Sequence, residues 1–445
     1  MQDRFEKRYH DNCVIYIVIY AFIGMMTGLI FDALITFLMA VSPDIAKSMA
    51  SYMGVATFAA SSITILAPKT GYKKIIIFAA IITSASLAAI SYVQNQWFIS
   101  ACLFLLMTGI TLFDVILSPY IATYTAATSR TSFLTKASCA SVLGTIIGTF
   151  AGGPMIVFLF SRKLNIPYNA AKILTQDISS FSFGYYSGYI DAHRIVMMVF
   201  AAASTLILIP AFSIKESVGD HDASHSKEKQ SSGLPELLNK YVVLFLIYTI
   251  LSRFAASLIA PYVSVYLTKI GINRAAVSML ATLQYLSALV FMASSGKLVK
   301  KIGQIYATAA LCLASVPFML ILAKGHSFGS QAGFIVGTAL FFRAGLANAS
   351  VPIVNSLAME LVPKKSWALY ASLVFMMQST AQIFAGLFTK LYLFNNSGGY
   401  ADAYYYAAII YIAAHGMLLI VFSKKYNCAE RAGCNQKHIS STTGQ

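Results

Sequence analysis

The chain is short of charge, and of acids most of all. Asp, Glu, Lys and Arg make up 11% of its 445 residues, with 16 acids against 32 Lys and Arg. A water-soluble chain carries about twice that share of charge, so a soluble globular protein is excluded. The six cysteines form no framework. Cys102, Cys139 and Cys312 lie in or beside apolar segments, and Cys428 and Cys434 lie in a polar tail read as cytoplasmic, where thiols stay reduced. Their spacing fits no zinc site. No GxxxxGK[ST] loop occurs, so no ATPase of that design is present. No HExxH pair and no cluster of nucleophile and base occurs either, which argues against a membrane enzyme. The first apolar run is too long, and lacks the small-residue cleavage site, for a removable signal peptide.

What is abundant is apolar sequence. Hydrophobic residues reach 58% and mean hydropathy is +0.70. The apolar runs are long enough to cross a bilayer, and in hydrocarbon they must be helical to satisfy their own backbone. The expected fold is an all-α polytopic membrane protein with about twelve transmembrane helices. The polar stretch Lys215–Lys240 has no aromatic residue and reads as a flexible linker. It separates an N-terminal six-helix half (1–214) from a C-terminal six-helix half (241–423), with a tail at 424–445. The net charge of +16 does not point to nucleic acid, because the cations sit in short loops. Arg4, Lys7, Arg8, Lys69, Lys73, Lys74, Lys297, Lys300 and Lys301 fall on one side; Lys47, Arg162, Lys163, Lys269 and Arg274 fall on the other. The positive-inside rule then puts both termini and the linker in the cytoplasm of a cell-membrane protein. The stretch Ser161–Arg194, rich in Ser, Gly and aromatics, is placed outside the membrane, with segment 6 beginning at about Ile195.

The two halves repeat. Leu66-x-x-Lys69-x-Gly71 returns as Leu298-x-x-Lys301-x-Gly303, Ser118-Pro119 as Val351-Pro352, and Ala151-Gly152 as Ala385-Gly386, at an offset of 232 to 234 residues. Parallel six-helix repeats build two-half secondary transporters. The loop Gly296-Lys-Leu-Val-Lys-Lys-Ile-Gly303-Gln resembles the G-x-L-x-D-x-x-G-R signature of the major facilitator superfamily. Gly144-x-x-x-Gly148-x-x-x-Gly152-Gly-Pro154 is similar to the antiporter motif of its drug/proton exporters. Pro68 and Lys300 stand where the signature has Asp, so gating is expected to use other contacts. The resemblance implies two pseudo-symmetric bundles around a central cavity walled by helices 1, 4, 7 and 10, alternating access and a monomer. It implies gating roles for Gly71, Gly296, Gly303, Gly148, Gly152 and Pro154. Close helix packing is an equal reading of the segment 5 glycines.

Ionisable side chains inside hydrocarbon are costly and mark pathways or relays. Asp114 heads the candidates for proton coupling, on a polar stripe with Thr108, Thr111 and Ser118. Asp32 is the second, as a proton-coupling carboxyl or a hold on the outer gate. Arg343 corresponds by the repeat to a position one turn from Asp114, which suggests an Asp114–Arg343 pair. Arg253, with Ser257 and Ser264 on its face, is an anion contact or a structural partner. Asn348, Asn355, Gln284, Gln378 and Gln382 are ligand contacts or helix-to-helix bonds. The leading expectation is proton-coupled efflux of an amphipathic or hydrophobic compound. The alternative is symport or exchange of a small organic anion, to which the arginines point. The partners implied are the lipid bilayer, a small-molecule substrate and protons, with no metal, cofactor or nucleic acid.

Overall fold

The computed structural model describes residues 2–64, 67–125, 127–178, 181–217, 239–362, 367–396 and 398–427. Twelve long helices follow one another among them. The first half holds α1 (Lys7–Val41), α2 (Met49–Thr64), α3 (Tyr72–Tyr92), α4 (Gln96–Tyr124), α5 (Ala127–Leu164) and α6 (Phe183–Ser213). The second holds α7 (Lys240–Lys269), α8 (Arg274–Ile302), α9 (Gln304–Ala323), α10 (Gly325–Ala358), α11 (Trp367–Leu391) and α12 (Gly399–Tyr426). Eleven of these are long and apolar enough to span a membrane. The exception, α2, has 16 described residues and adjoins 65–66, which lie outside the described residues. So do 218–238 of the expected linker and 428–445 of the tail.

Polar residues set where the helices start. Asn95 accepts from the N–H groups of Trp97 and Phe98 at the head of α4, and Asn273 accepts from Ala276 N at the head of α8. The heads of α3 and α9 are built alike, each from a residue that follows the last helix of its own half. Glu216, after α6, accepts from Tyr72 N (2.7 Å) and Lys73 N (3.0 Å). Asn427, after α12, accepts from Ile305 N (3.0 Å) and Tyr306 N (3.2 Å). Gly71 and Gly303 precede these helices at φ +88° and +86°, a backbone region that strains any residue with a Cβ. The repeated glycines of the loop signature thus turn the chain into a capped helix. Gly296 has open space around it and takes part in no such contact.

One expectation fails at the 5–6 connection. The Ser-, Gly- and aromatic-rich stretch is not an external loop: α6 begins at Phe183, twelve residues before the expected Ile195. The reason is its periodicity, since Tyr189, Ile190, Ala192, His193, Val196 and Met197 all turn inward along one helix. Only the shorter piece before it, with a helix at Tyr168–Leu174, connects α5 to α6.

Asn12 exchanges two hydrogen bonds with Lys215, and the Lys425 ammonium sits 4.4 Å over the Tyr241 ring. These contacts bring the start of α1, both ends of the linker and the end of α12 to one side, here called the terminal side. Among the described residues, the hydrogen bonds that join the two halves lie towards the opposite, far side. Ser51 donates to Ile383 O (2.8 Å), Thr389 and Tyr262 donate to Lys47 O (2.7 and 2.9 Å), and Thr149 meets Thr282 (2.9 Å). The halves are therefore fastened at the far side.

Candidate functional site

Asp114 lies in α4 and Arg253 in α7, each well inside its helix and surrounded by protein, yet the side chains of both are solvent-exposed. Charged groups so placed face a solvent-accessible cavity between the helices. Asn348 and Asn355 of α10 are exposed as well, and Gln378 of α11 and Gln284 of α8 are half-buried.

Each charged group is held from behind. Tyr20 of α1 donates to Asp114 Oδ1 at 2.6 Å. Tyr16, one turn earlier, stacks on Tyr20 and donates to Phe113 O at 2.7 Å, which fixes α1 against α4 beside the carboxyl. The two threonines of the Asp114 stripe serve their own helix, Thr108 bonding Phe104 O and Thr111 bonding Met107 O. Gln382 of α11 is buried against Arg253. With its amide oxygen turned to the guanidinium, it accepts from Nη2 (2.6 Å) and Nε (3.1 Å). That leaves Nη1 of Arg253 for the cavity, and Asp114 lies within electrostatic reach.

The expected Asp114–Arg343 pair does not form. Arg343 is buried at 6% exposure, and its neighbours are Cys312 of α9 with Tyr404 and Tyr411 of α12. The repeat put residue 343 at the right depth on α10, but on the face turned towards α9 and α12. Tyr411 lies near both Arg343 and Arg253.

Asp32, left without a partner by the sequence reading, meets Arg274. It lies in a π-helical turn of α1, Ile30–Leu34. Arg274 Nη1 donates to its Oδ1 (2.9 Å) and Nη2 to its Oδ2 (2.7 Å), and both side chains are 0% exposed. Ser264 of α7 donates to Oδ1 at 3.0 Å and Ser278 of α8 to Oδ2. Arg274 was expected in an outer loop. It is instead the first residue of α8, drawn inside by a carboxylate with no other cation to meet. Ser264 was expected to face with Arg253, but α7 breaks into a 3₁₀ turn at Ala260–Tyr262, over Pro261, and re-aims the residues beyond. The connection between α5 and α6 joins the same network, since Thr175 accepts from Arg274 N at 3.1 Å.

The glycine-and-proline run of α5 backs onto this pair. A Cβ on Gly152 would stand 3.1 Å from Asp32 Oδ2, and one on Gly153 would stand 2.1 Å from Ser278 Oγ. Pro154 follows within the helix. Further along, Gly144 and Gly148 pack on Ala21 and Met25 of α1, as the packing reading expected. A single aspartate thus ties α1 of the first half to α7 and α8 of the second.

The sequence profile of the Major Facilitator Superfamily matches residues 17–386. The chain belongs to this family. Its members' fold is also what solved structures share with it. The inward-open xylose transporter XylE from E. coli is 13% identical, with a TM-score of 0.67, covering 93% of this chain and 96% of that one. The nucleoside transporter NupG is 11% identical, with a TM-score of 0.67, covering 92% and 98%. The E. coli fucose:proton symporter FucP is 16% identical, with a TM-score of 0.58, covering 93% and 98%. Among curated protein sequences none matches. The cavity side carries one acid with Arg253 beside it and Arg343 behind, while the far side carries a closed, neutral pair.

Tyr20, Tyr411, Arg274, Ser278 and Thr175 are site residues that the sequence reading did not select. Tyrosines are too common here, at 26, for any one to stand out. Arg274 carried one usable signal: it follows Asn273, a good helix cap, and so belonged to the helix and not to the loop.

Proposed function

We propose that the chain is a proton-coupled secondary transporter of a small organic anion, with the halves 1–214 and 241–423 rocking about the central cavity. One observation carries this reading: the cavity presents the Arg253 guanidinium beside a single carboxyl, with the Arg343 charge buried behind, so an anion completes the charge balance. A cationic amphiphile finds an excess of its own sign there. Arginine stays protonated, so the group that titrates is Asp114. When Asp114 is neutral, Arg253 has no charged partner across the cavity and takes the acid group of the cargo. Proton and anion then favour each other's binding, which is the thermodynamic content of coupling. Asn348, Asn355, Gln284 and Gln378 are placed to hydrogen-bond the rest of the cargo, and Gln382 positions Arg253.

Proton coupling is supported by analogy of fold, since two of the solved neighbours are named as D-xylose-proton and fucose:proton symporters. The motif that resembled the drug/proton exporters gives no support to efflux, because Gly144 and Gly148 are occupied with packing on α1. The distribution of lysines and arginines favours cytoplasmic termini. With the termini in the cytoplasm, the fastened far side is the external one.

The test uses purified protein in liposomes loaded with a pH-sensitive dye, screened with organic anions and with cationic amphiphiles. Anions are expected to drive proton movement in the same direction as their own uptake. Asp114→Asn is expected to bring that proton signal down to the level of empty liposomes. Arg253→Gln is expected to abolish anion uptake. Proton movement opposite to a cationic amphiphile would favour efflux instead, and anion flux without protons would make the chain a uniporter or exchanger.

A further inference from the structure

Four donors converge on the Asp32 carboxylate, two on each oxygen. Oδ1 receives Arg274 Nη1 and Ser264 Oγ; Oδ2 receives Arg274 Nη2 and Ser278 Oγ. All four belong to α7 and α8, in the second half, whereas the carboxylate comes from the first. A guanidinium fork with a hydroxyl on either side is a complete receptor for a planar carboxylate, whoever supplies it. We propose that this receptor is a second cargo site, a carboxylate seat on the far side that Asp32 occupies only while that side is closed.

Two further observations point to a visitor. The first is a cavity of about 630 Å³ that opens beside the seat. Its wall includes Thr36, one turn beyond Asp32 and bonded to Asp32 O, and Val265, next to Ser264. Its polar wall also carries Lys269, Gln176 and His326, with the acid Asp177 among them. The second is Arg274 Nε, which is buried and has no hydrogen-bond partner, so the guanidinium has a donor to spare.

The exchange has a simple logic. Opening the far side withdraws α1 from α7 and α8 and takes Asp32 with it. That leaves Arg274, Ser264 and Ser278 together, facing the cavity with no anion. A cargo carboxylate fills the seat, and closing requires Asp32 to displace it towards the central site. Asp32 is then a built-in competitor of the cargo. That the cargo is the visitor rests on the anion reading above. That a carboxylate seat exists does not.

Acetate is the probe. The unfolding midpoint of the full chain in detergent is measured against rising sodium acetate, with sodium chloride and acetamide as controls. Asp32→Ala empties the seat and leaves room in it. Its midpoint is expected to rise with acetate and saturate, by about 2–4 °C, and not with chloride or acetamide. Wild type, whose seat is filled, and Asp32→Ala/Arg274→Gln, whose seat is dismantled, are expected to show no such rise. Equal shifts from chloride, or an acetate shift that survives in the double variant, overturn the proposal. If Asp32→Ala does not fold, Asp32→Asn keeps the volume and is read by another route. Labelling of Thr268→Cys, in the cavity wall, by an impermeant maleimide is expected to slow in acetate, and to lose that protection when Arg274→Gln is added. Labelling that acetate leaves unchanged in Asp32→Asn also overturns it. None of these readouts needs transport. A seat without anion flux would sink the transport reading alone, and flux without an acetate effect would sink the seat alone.

Discussion

Arg274→Gln is expected to be the most damaging single substitution in the chain. It leaves the Asp32 carboxylate fully buried with two serine hydroxyls for company. Removing one partner of a buried ion pair costs about 3–5 kcal/mol, mainly because the remaining charge is stranded. The chain has one cheap escape, which is to open the far side and wet Asp32. The variant should therefore show a large rise in far-side maleimide labelling of Thr268→Cys, together with a lowered unfolding midpoint. Asp32→Asn/Arg274→Gln removes both charges and should recover most of the midpoint, because a neutral pair in the same space is nearly equivalent in energy. If the double variant is as unstable as Arg274→Gln, the defect is lost packing and not a stranded charge. Comparing the variants as a double-mutant cycle gives the coupling energy directly.

The second large effect separates two kinds of glycine in one helix. A Cβ on Gly144 would come within 1.9 Å of Ala21 O, a clash inside the first half. A Cβ on Gly153 would come within 2.1 Å of Ser278 Oγ and 2.6 Å of Arg274 O, a clash between the halves. Overpacking of this sort costs about 1–3 kcal/mol. At Gly144 the cost is borne in every state, so Gly144→Ala should lower the yield of folded protein and its midpoint. At Gly153 it is borne only while the far side is closed. Gly153→Ala should fold normally and shift the population towards the far-side-open state by about 5- to 150-fold. Cysteine labelling at position 268 and a thermal scan on the same samples read both quantities. Equal midpoint losses for the two variants would falsify the distinction.

The fold was legible because its causes are local or periodic. Apolar runs of bilayer length, a polar break at Lys215–Lys240 and a repeat that holds its offset all survive in one sequence without any tertiary information. The start of α6 was missed because Ser, Gly and Tyr look like loop chemistry, while the inward face formed by Tyr189, His193 and Met197 is visible only at helical spacing. The candidate acids were legible for a different reason, since a carboxyl inside an apolar helix is conspicuous. Their partners were not. The repeat fixes depth along the membrane but not rotation about a helix axis, and rotation decides that Arg343 faces Tyr404 and Tyr411 and not Asp114. Asp32 adds a further obstacle, because its π-helical turn puts the residues beyond it out of step with a regular helix. Ser264 was lost to the same kind of local break, over Pro261.

Glu216 and Asn427 close each half upon itself. The segment after the sixth helix of a half returns to the head of its third, so these two helix heads are capped from within their own half. The described ends of the linker bond within their own halves, Lys215 and Glu216 to the first and Asn239 to the second. A gene divided after Ser217 is expected to yield two polypeptides that each reach the membrane as a finished six-helix piece. They would meet through α2 with α11 and α5 with α8, and co-purify through a tag on either one. Moving the division back to Ile214 removes Glu216 from the first piece, and complementation should fall with it.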